Sequence, residues 1–142
     1  MVDKTLVLRK VAELERYLEQ VREFAEITLA AYKSDWKTQR VVERTLQMMI
    51  EACVDIANHM ISDRGMRTPA SYADAFKVLA ENSVIDSELL VTMERMAKFR
   101  NVVVHQYEEV DAEIVIGILR KRLPDLERYI AAILTCLKNL KE

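Results

Sequence analysis

The sequence predicts an all-α protein, an antiparallel bundle of four to five helices. Only two glycines and two prolines occur in 142 residues, so the chain has few turns. Apolar residues recur at three- and four-residue steps, and charged residues, 31% of the chain, fill the gaps between them. No alternating strand pattern is present. The length fits one domain over residues 1–142, large enough to fold without disulfides or metals.

The first two helices are predicted to be long. The first covers residues 4–32, with Asp3 as its N-cap, because its apolar periodicity continues over that whole range. Either Ser34 or Asp35 caps the second helix, which carries a continuous apolar stripe and ends near Ser62.

The second half of the chain predicts three further helices. Residues 63–69 contain a glycine and a proline and end the second helix. A shorter helix follows over residues 71–81, and a fourth over residues 88–105. Asp111 caps the fifth helix, which runs to the end of the sequence, and Pro124 inside it predicts a kink or a split.

Composition and charge narrow the classes of function. A net charge of −2 and a pI of about 5.8 argue against a general nucleic-acid binder, although a local basic patch is enough to hold one phosphate. The two cysteines lack the C-x-x-C spacing of zinc and redox sites, so we expect no cofactor and no metal. With neither a signal peptide nor a spanning segment in the sequence, we expect no membrane contact and a cytoplasmic location.

The end of the fourth helix carries a polar group that is compatible with RNA cleavage. On a helical wheel with Arg100 at zero, Asn101 lies near about 100° and His105 near about 140°, so the polar residues share one half of the helix with Tyr107. A histidine transfers protons near neutral pH, and an arginine grips phosphate in fork geometry. RNA supplies its own nucleophile, the 2′-hydroxyl. Asn101 would orient the imidazole, and Tyr107 would contact a phosphate or stack on a base.

A purely structural interpretation of the same residues stands beside the catalytic one. One arginine and one histidine five residues apart often arise by chance. The wheel also places Arg100 and His105 about 140° apart, so one regular helix does not aim both at one atom. Either the helix distorts at the three valines between them, or a second subunit completes the site.

The fourth helix is predicted to be apolar on two sides, which favours dimerisation through it. One side is expected to face the core of the chain: Met96, Phe99, Val102 and Val103. The polar side also carries Met93, Ala97 and Val104, which we expect to face another subunit, because a helix apolar all round is normally buried.

The motif and its surroundings resemble HEPN proteins of the HepT type. Residues Arg100–Tyr107 fit the pattern R-x4-H-x-Y of that family. Four other segments, in order along the chain, resemble sequences typical of the same family: residues 43–47, 51–59, 69–72 and 96–101.

This resemblance implies an activity and partners. It implies a homodimer with two motifs around a shared cleft, which cleaves RNA without metal through the 2′-hydroxyl. Arg100 and His105 would be catalytic, with Asn101 and Tyr107 supporting them. The implied partner is a minimal, MntA-like nucleotidyltransferase antitoxin, which in this family can add AMP to the motif tyrosine, here Tyr107.

Two further groups of residues are weaker candidates. Glu51, Asp55 and His59 stand four residues apart on one helix face, a spacing that suits metal ligands, a polar stripe or the edge of the cleft near the motif. Three basic residues are weak candidates for RNA contacts, with solvated surface charges as the equal alternative: Arg64, Arg67 and Lys98.

Three classes of function therefore remain open from the sequence. The leading one is an endoribonuclease toxin acting on mRNA or tRNA, between which the sequence does not choose. The alternative is a non-catalytic helical module that binds a nucleotide or substrate for a partner nucleotidyltransferase. The third is a structural dimerisation module.

Overall fold

The computed structural model describes residues 3–105 and 110–139, and within them the chain is helical without strands. This confirms the all-α prediction. No helix in these ranges is both long and apolar enough to cross a membrane. The elements in chain order are α1 (Lys4–Arg22), α2 (Leu29–Ser34), α3 (Trp36–Asp63), α4 (Tyr72–Glu81), α5 (Ser87–His105), α6 (Ala112–Gly117), a π-helical turn (Ile118–Arg122) and α7 (Leu123–Lys138).

Side-chain caps explain where the helices begin. Asp3, Asp35 and Asp111 each accept a hydrogen bond from a backbone N–H in the first turn of the following helix, as predicted. Ser71 caps α4 in the same way, and the Asp86 carboxylate accepts from the Leu89 N–H at the start of α5. These bonds satisfy backbone donors that a helix start leaves open.

The prediction of one helix up to Tyr32 was wrong. Helix α1 ends at Arg22, and the N–H groups of Phe24 and Ala25 turn back to carbonyls three residues earlier. A new cap then appears at Thr28, whose hydroxyl accepts from a backbone N–H of α2. The apolar pattern continued across the break because Phe24 and Ala25 pack against the core without being helical.

The last helix is interrupted just before Pro124, as its position predicted. The π-helical turn Ile118–Arg122 separates α6 from α7. Pro124 then lies in the first turn of α7, where its missing N–H costs no helical hydrogen bond. The proline therefore divides the segment without ending it.

Two pairs of long helices run antiparallel. Asp3, before α1, bonds to Asp63 at the end of α3, and Lys10 pairs with Asp55 one level further in. Because the residue numbers rise along α1 while those of their partners fall along α3, the two helices run in opposite directions. The same reasoning applies to α5 and α7.

Tyr129 of α7 ties the centre of the core to α3. Its hydroxyl donates to the Cys53 carbonyl oxygen at 2.8 Å, and its ring meets Phe76 of α4 edge to face, with centroids 5.7 Å apart. Burial raises the pKa of the Cys53 thiol, so this free cysteine is chemically inert. Cys136 is also a free thiol and is half-buried. The packing around Tyr129 thus fixes the helices that carry the candidate site.

We expect Tyr129→Phe to lower the free energy of unfolding by about 0.5–1.5 kcal/mol, the usual net value of one hydrogen bond. The Cys53 carbonyl keeps its place in α3, so no larger loss follows. Urea unfolding followed by circular dichroism measures the change. Tyr17→Phe is the matched control, because within the described part of the chain the Tyr17 hydroxyl bonds to Glu13 of its own helix, at a half-exposed position. Equal losses in the two variants would contradict a special role for Tyr129.

Candidate active site

Helix α5 continues as an α-helix through the three valines to His105. Distortion of this helix therefore does not bring Arg100 and His105 together. Because the two residues are five positions apart on a regular helix, their side chains leave it about 140° apart. Of the two explanations that the sequence allowed, completion by a second subunit is the one that stays a prediction.

Arg100 is held by side chains from three helices. Its Nε and Nη2 atoms each lie 2.8 Å from Oε2 of Glu51 on α3. Its Nη1 donates to Oδ1 of Asn101 at 3.2 Å, and its Cζ lies 4.5 Å from the ring centroid of Tyr72 on α4. Gln47 donates to the same Glu51 oxygen at 3.2 Å. We call Glu51, Tyr72, Asn101 and Gln47 the Arg100 cage.

The caged guanidinium keeps part of its binding capacity. An arginine has five N–H donors: Nε donates one to Glu51, Nη1 donates one to Asn101, and Nη2 uses one in its ion pair with Glu51. The two remaining donors belong to Nη1 and Nη2. The Arg100 side chain is 17% exposed, so part of it stays accessible beside the cage. The site can therefore offer two fixed donors and a permanent positive charge to a phosphate.

His105 lies on the exposed side of α5, at its last residue. Among the described residues the imidazole has no hydrogen-bond partner. Asn101 bonds through Oδ1 to Arg100, so the contact seen differs from the predicted one to the imidazole. Lys98 is also exposed, seven residues before His105 and thus on nearly the same helix face. The predicted site residue Tyr107 lies outside the described residues.

Arg64 is not brought to the motif. It follows the end of α3, thirteen residues after Glu51 and thus about 20 Å along the helix axis. Its Nη1 lies 3.0 Å from the Cys136 sulfur.

Arg67 is engaged by two carboxylates of α4. Its guanidinium makes paired hydrogen bonds with Asp74 and with Glu81, at 2.7–3.1 Å. These bonds hold the pKa of Asp74 and that of Glu81 below their usual range. Arg67 therefore has a structural partner set and few donors left for RNA.

The acidic face of α3 divides between two partners. Glu51 turns to Arg100, whereas Asp55 pairs with Lys10 of α1 at 3.6 Å, and His59 is half-buried. Among the described residues no group of three or more His, Cys, Asp or Glu side chains is placed to hold a metal ion. The structure thus puts Glu51 beside the motif, one of the explanations that the sequence left open.

The apolar strip on the polar side of α5 is smaller than predicted. Met93 and Ala97 were expected to face another subunit, but both are fully buried in the core of the chain. Val102 was expected in the core, but it is 42% exposed, and Val104 is 37% exposed. The reason is that α3, α4 and α7 all pack on α5 and cover Met93 and Ala97, whereas Val102 and Val104 in its last turn stay exposed.

Sequence reasoning missed Tyr72 and Gln47. Tyr72 contacts Arg100 although the two are 28 positions apart in sequence and lie on different helices, so helical periodicity cannot predict the contact. Gln47 stands one helical turn before Glu51 and was hidden among the polar residues of α3.

The profile of the HepT-like ribonucleases matches residues 14–133. The chain belongs to the HepT-like ribonuclease family. It is 31% identical to the mRNA nuclease HepT of Shewanella oneidensis over 128 residues, which covers 90% of this chain and 96% of that protein. It is 27% identical to the tRNA nuclease HepT of Aphanizomenon flos-aquae, over 99% of this chain and 96% of the relative. Membership makes the chain an enzyme of the ribonuclease class.

A solved structure shows the same architecture. The tri-AMPylated Shewanella oneidensis HEPN toxin in complex with MNT antitoxin superposes with a TM-score of 0.85 at 31% identity. The match covers 95% of this chain and 99% of the toxin. The all-helical fold is thus the fold of a HEPN toxin.

We expect Arg67→Gln to lower the thermal midpoint at pH 7 and to leave RNA affinity unchanged. Carboxylates with lowered pKa values stabilise the folded state above their ordinary pKa, about 4, and lose this effect as the pH falls through the folded value. The midpoint difference between parent and variant should therefore shrink on going from pH 7 to pH 3.

Arg64→Gln serves as the control, because a thiol partner gives no such pH dependence. A lower RNA affinity in Arg67→Gln, with its midpoint unchanged, would instead make Arg67 an RNA contact.

Proposed function

We propose that this chain is the endoribonuclease toxin of a toxin–antitoxin pair, and that it cleaves RNA by attack of a 2′-hydroxyl on the adjacent phosphate without a metal ion. The observation that carries this proposal is the Arg100 cage, which keeps a partly exposed guanidinium fixed on the helix that ends at an exposed His105. A fixed cation and a proton-transfer group are the two components that this reaction needs.

The reaction forms one bond and breaks another at the same phosphorus. The 2′-oxygen bonds to phosphorus as its proton leaves, and the bond from phosphorus to the 5′-oxygen breaks as that oxygen takes up a proton. His105 is the group that transfers a proton, and Arg100 stabilises the added negative charge of the transition state. The products are a 2′,3′-cyclic phosphate and a 5′-hydroxyl.

A homodimer supplies the convergence that one chain lacks. Arg100 and His105 leave one regular helix in different directions, so we place the histidine of one subunit near the arginine of its partner. The exposed Val102 and Val104 at the end of α5 give the two motif helices an apolar contact. A two-fold axis there makes two equal sites.

The proposed protein partner is a minimal, MntA-like nucleotidyltransferase. The similar Shewanella toxin was solved with an MNT antitoxin and carries AMP groups. We propose that a corresponding partner neutralises this chain, with Tyr107 as the position of AMP addition. Added phosphate would repel RNA from the Arg100 site. One relative is named for mRNA and another for tRNA, so the RNA class stays open.

The alternative function is a non-catalytic module that binds a nucleotide or substrate for the nucleotidyltransferase. Within one chain, Arg100 offers phosphate donors while His105 faces elsewhere, and this observation favours binding without cleavage. Incubation with a labelled single-stranded RNA distinguishes the two functions, because only a catalytic protein produces shorter fragments.

We expect Arg100→Ala and His105→Ala each to lower the rate of RNA cleavage by at least about 100-fold, the usual contribution of such groups. Arg100→Lys should rescue poorly, because an ammonium lacks the guanidinium fork. The rate is measured in chelator with purified protein. His59→Ala removes the only other histidine and should cleave like the parent. Cleavage by His105→Ala at the parent rate would exclude His105 as the proton-transfer group.

Mixing the two inactive variants tests the shared site. If each site takes Arg100 from one chain and His105 from the other, a mixed dimer of Arg100→Ala and His105→Ala contains one intact site and one doubly altered site. With half of the dimers mixed, activity should return to about a quarter of the parent value. Sites made within one chain would leave the mixture inactive, and that result would refute this arrangement.

A further inference from the structure

We propose that Glu51 and Tyr72 are positioning residues that fix the guanidinium of Arg100 for the scissile phosphate. This inference rests on the proposed function and adds two residues, from α3 and α4, to a site otherwise built on α5.

Glu51 fixes one edge of the guanidinium. Its Oε2 atom accepts a hydrogen bond from Nε of Arg100 at 2.8 Å and forms an ion pair with Nη2 at 2.8 Å, which sets the rotation of the group in its own plane. Gln47, one turn earlier on α3, donates to the same oxygen at 3.2 Å. The carboxylate is therefore itself held in place, and α3, which carries both residues, sets its position.

Tyr72 fixes one face of the same group. Its ring centroid lies 4.5 Å from Arg100 Cζ, within the range of an attractive cation–π contact. Tyr72 is the first residue of α4, and the Ser71 cap fixes the start of that helix. An edge held by Glu51 and a face covered by Tyr72 leave the guanidinium little freedom to tilt or rotate.

Asn101 completes the restraint from α5 itself. Its Oδ1 accepts from Nη1 of Arg100 at 3.2 Å. The two donors left on Nη1 and Nη2 then have fixed directions before any ligand arrives. A donor that is already oriented stabilises a transition state without reorganisation at the moment of reaction.

The carboxylate has opposite effects on binding and on rate. Its negative charge opposes the phosphate, so Glu51 weakens ground-state binding of RNA. Its hydrogen bonds hold the cation where charge develops, so Glu51 also raises the rate of the chemical step. A residue with only a structural role would change neither quantity while the protein stays folded. The separation of KM from kcat therefore distinguishes a positioning role from a stabilising one.

Variants of Glu51 test this separation on RNA cleavage in chelator. We expect Glu51→Ala to lower kcat by about 10- to 100-fold, the scale of a misplaced catalytic group, with KM unchanged or lower. Glu51→Gln keeps the acceptor oxygen and should lie between Ala and the parent. Asp55→Ala is the matched control, since Asp55 is one turn away on α3 and pairs with Lys10 instead. A parent-like kcat in Glu51→Ala overturns the proposal.

Variants of Tyr72 test the ring separately from the carboxylate. Tyr72→Phe keeps the aromatic face and should retain more of the parent kcat than Tyr72→Leu, which removes the ring. Equal activity in both overturns the role of the ring. If Glu51→Ala does not fold, the ordering of Glu51→Gln and the two Tyr72 variants still decides the outcome.

The Nε–H signal of Arg100 in 15N nuclear magnetic resonance gives a readout without RNA. The signal is assigned by its loss in Arg100→Lys. We expect slow hydrogen exchange in the parent and in Asp55→Ala, and fast exchange in Glu51→Ala. Equal exchange rates in all of them contradict the restraint. A parent that exchanges slowly and cleaves no RNA would refute the proposed function while upholding the restraint on Arg100.

Discussion

The ion pair between Arg100 and Glu51 is the contact on which the candidate site depends. A permanent cation beside the core requires a partner, because burial of an unpaired charge is expensive. Glu51 supplies that partner from α3, and Tyr72 covers the cation from α4. The contacts that offset the cost of burying this charge also set the orientation of the guanidinium. The same side chains therefore serve both the stability of the fold and the chemistry of the candidate site.

The position of α5 in the bundle explains why the motif emerges only at the end of the helix. Residues Met93 and Ala97 are enclosed by neighbouring helices, whereas Val102, Val104 and His105 are exposed. The buried face of α5 before the motif holds the helix in place, and the exposed last turn makes the end of the motif accessible. This division is consistent with a site completed by a second copy, in a family whose relatives are named as nucleases.

Most of the helices and their caps were predictable because periodicity and capping are local properties. Asp35 and Asp111 begin their helices as expected, and the interruption precedes Pro124. The end of α1 was missed because an apolar spacing persists through a packed turn. The fate of Met93 was missed because a helical wheel shows which face is apolar and not which neighbour covers it. The Tyr72 contact needed the tertiary fold.

In the proposed reaction, this chain cleaves RNA with its own side chains and the 2′-hydroxyl of the substrate. Its most direct test is the chemistry of the new ends when the purified protein cuts a labelled single-stranded RNA in chelator. We expect 2′,3′-cyclic phosphate and 5′-hydroxyl ends, with no cut where the 2′-hydroxyl next to the scissile phosphate is replaced by hydrogen. Ends carrying a 5′-phosphate, or cleavage at that 2′-deoxy position, would contradict it.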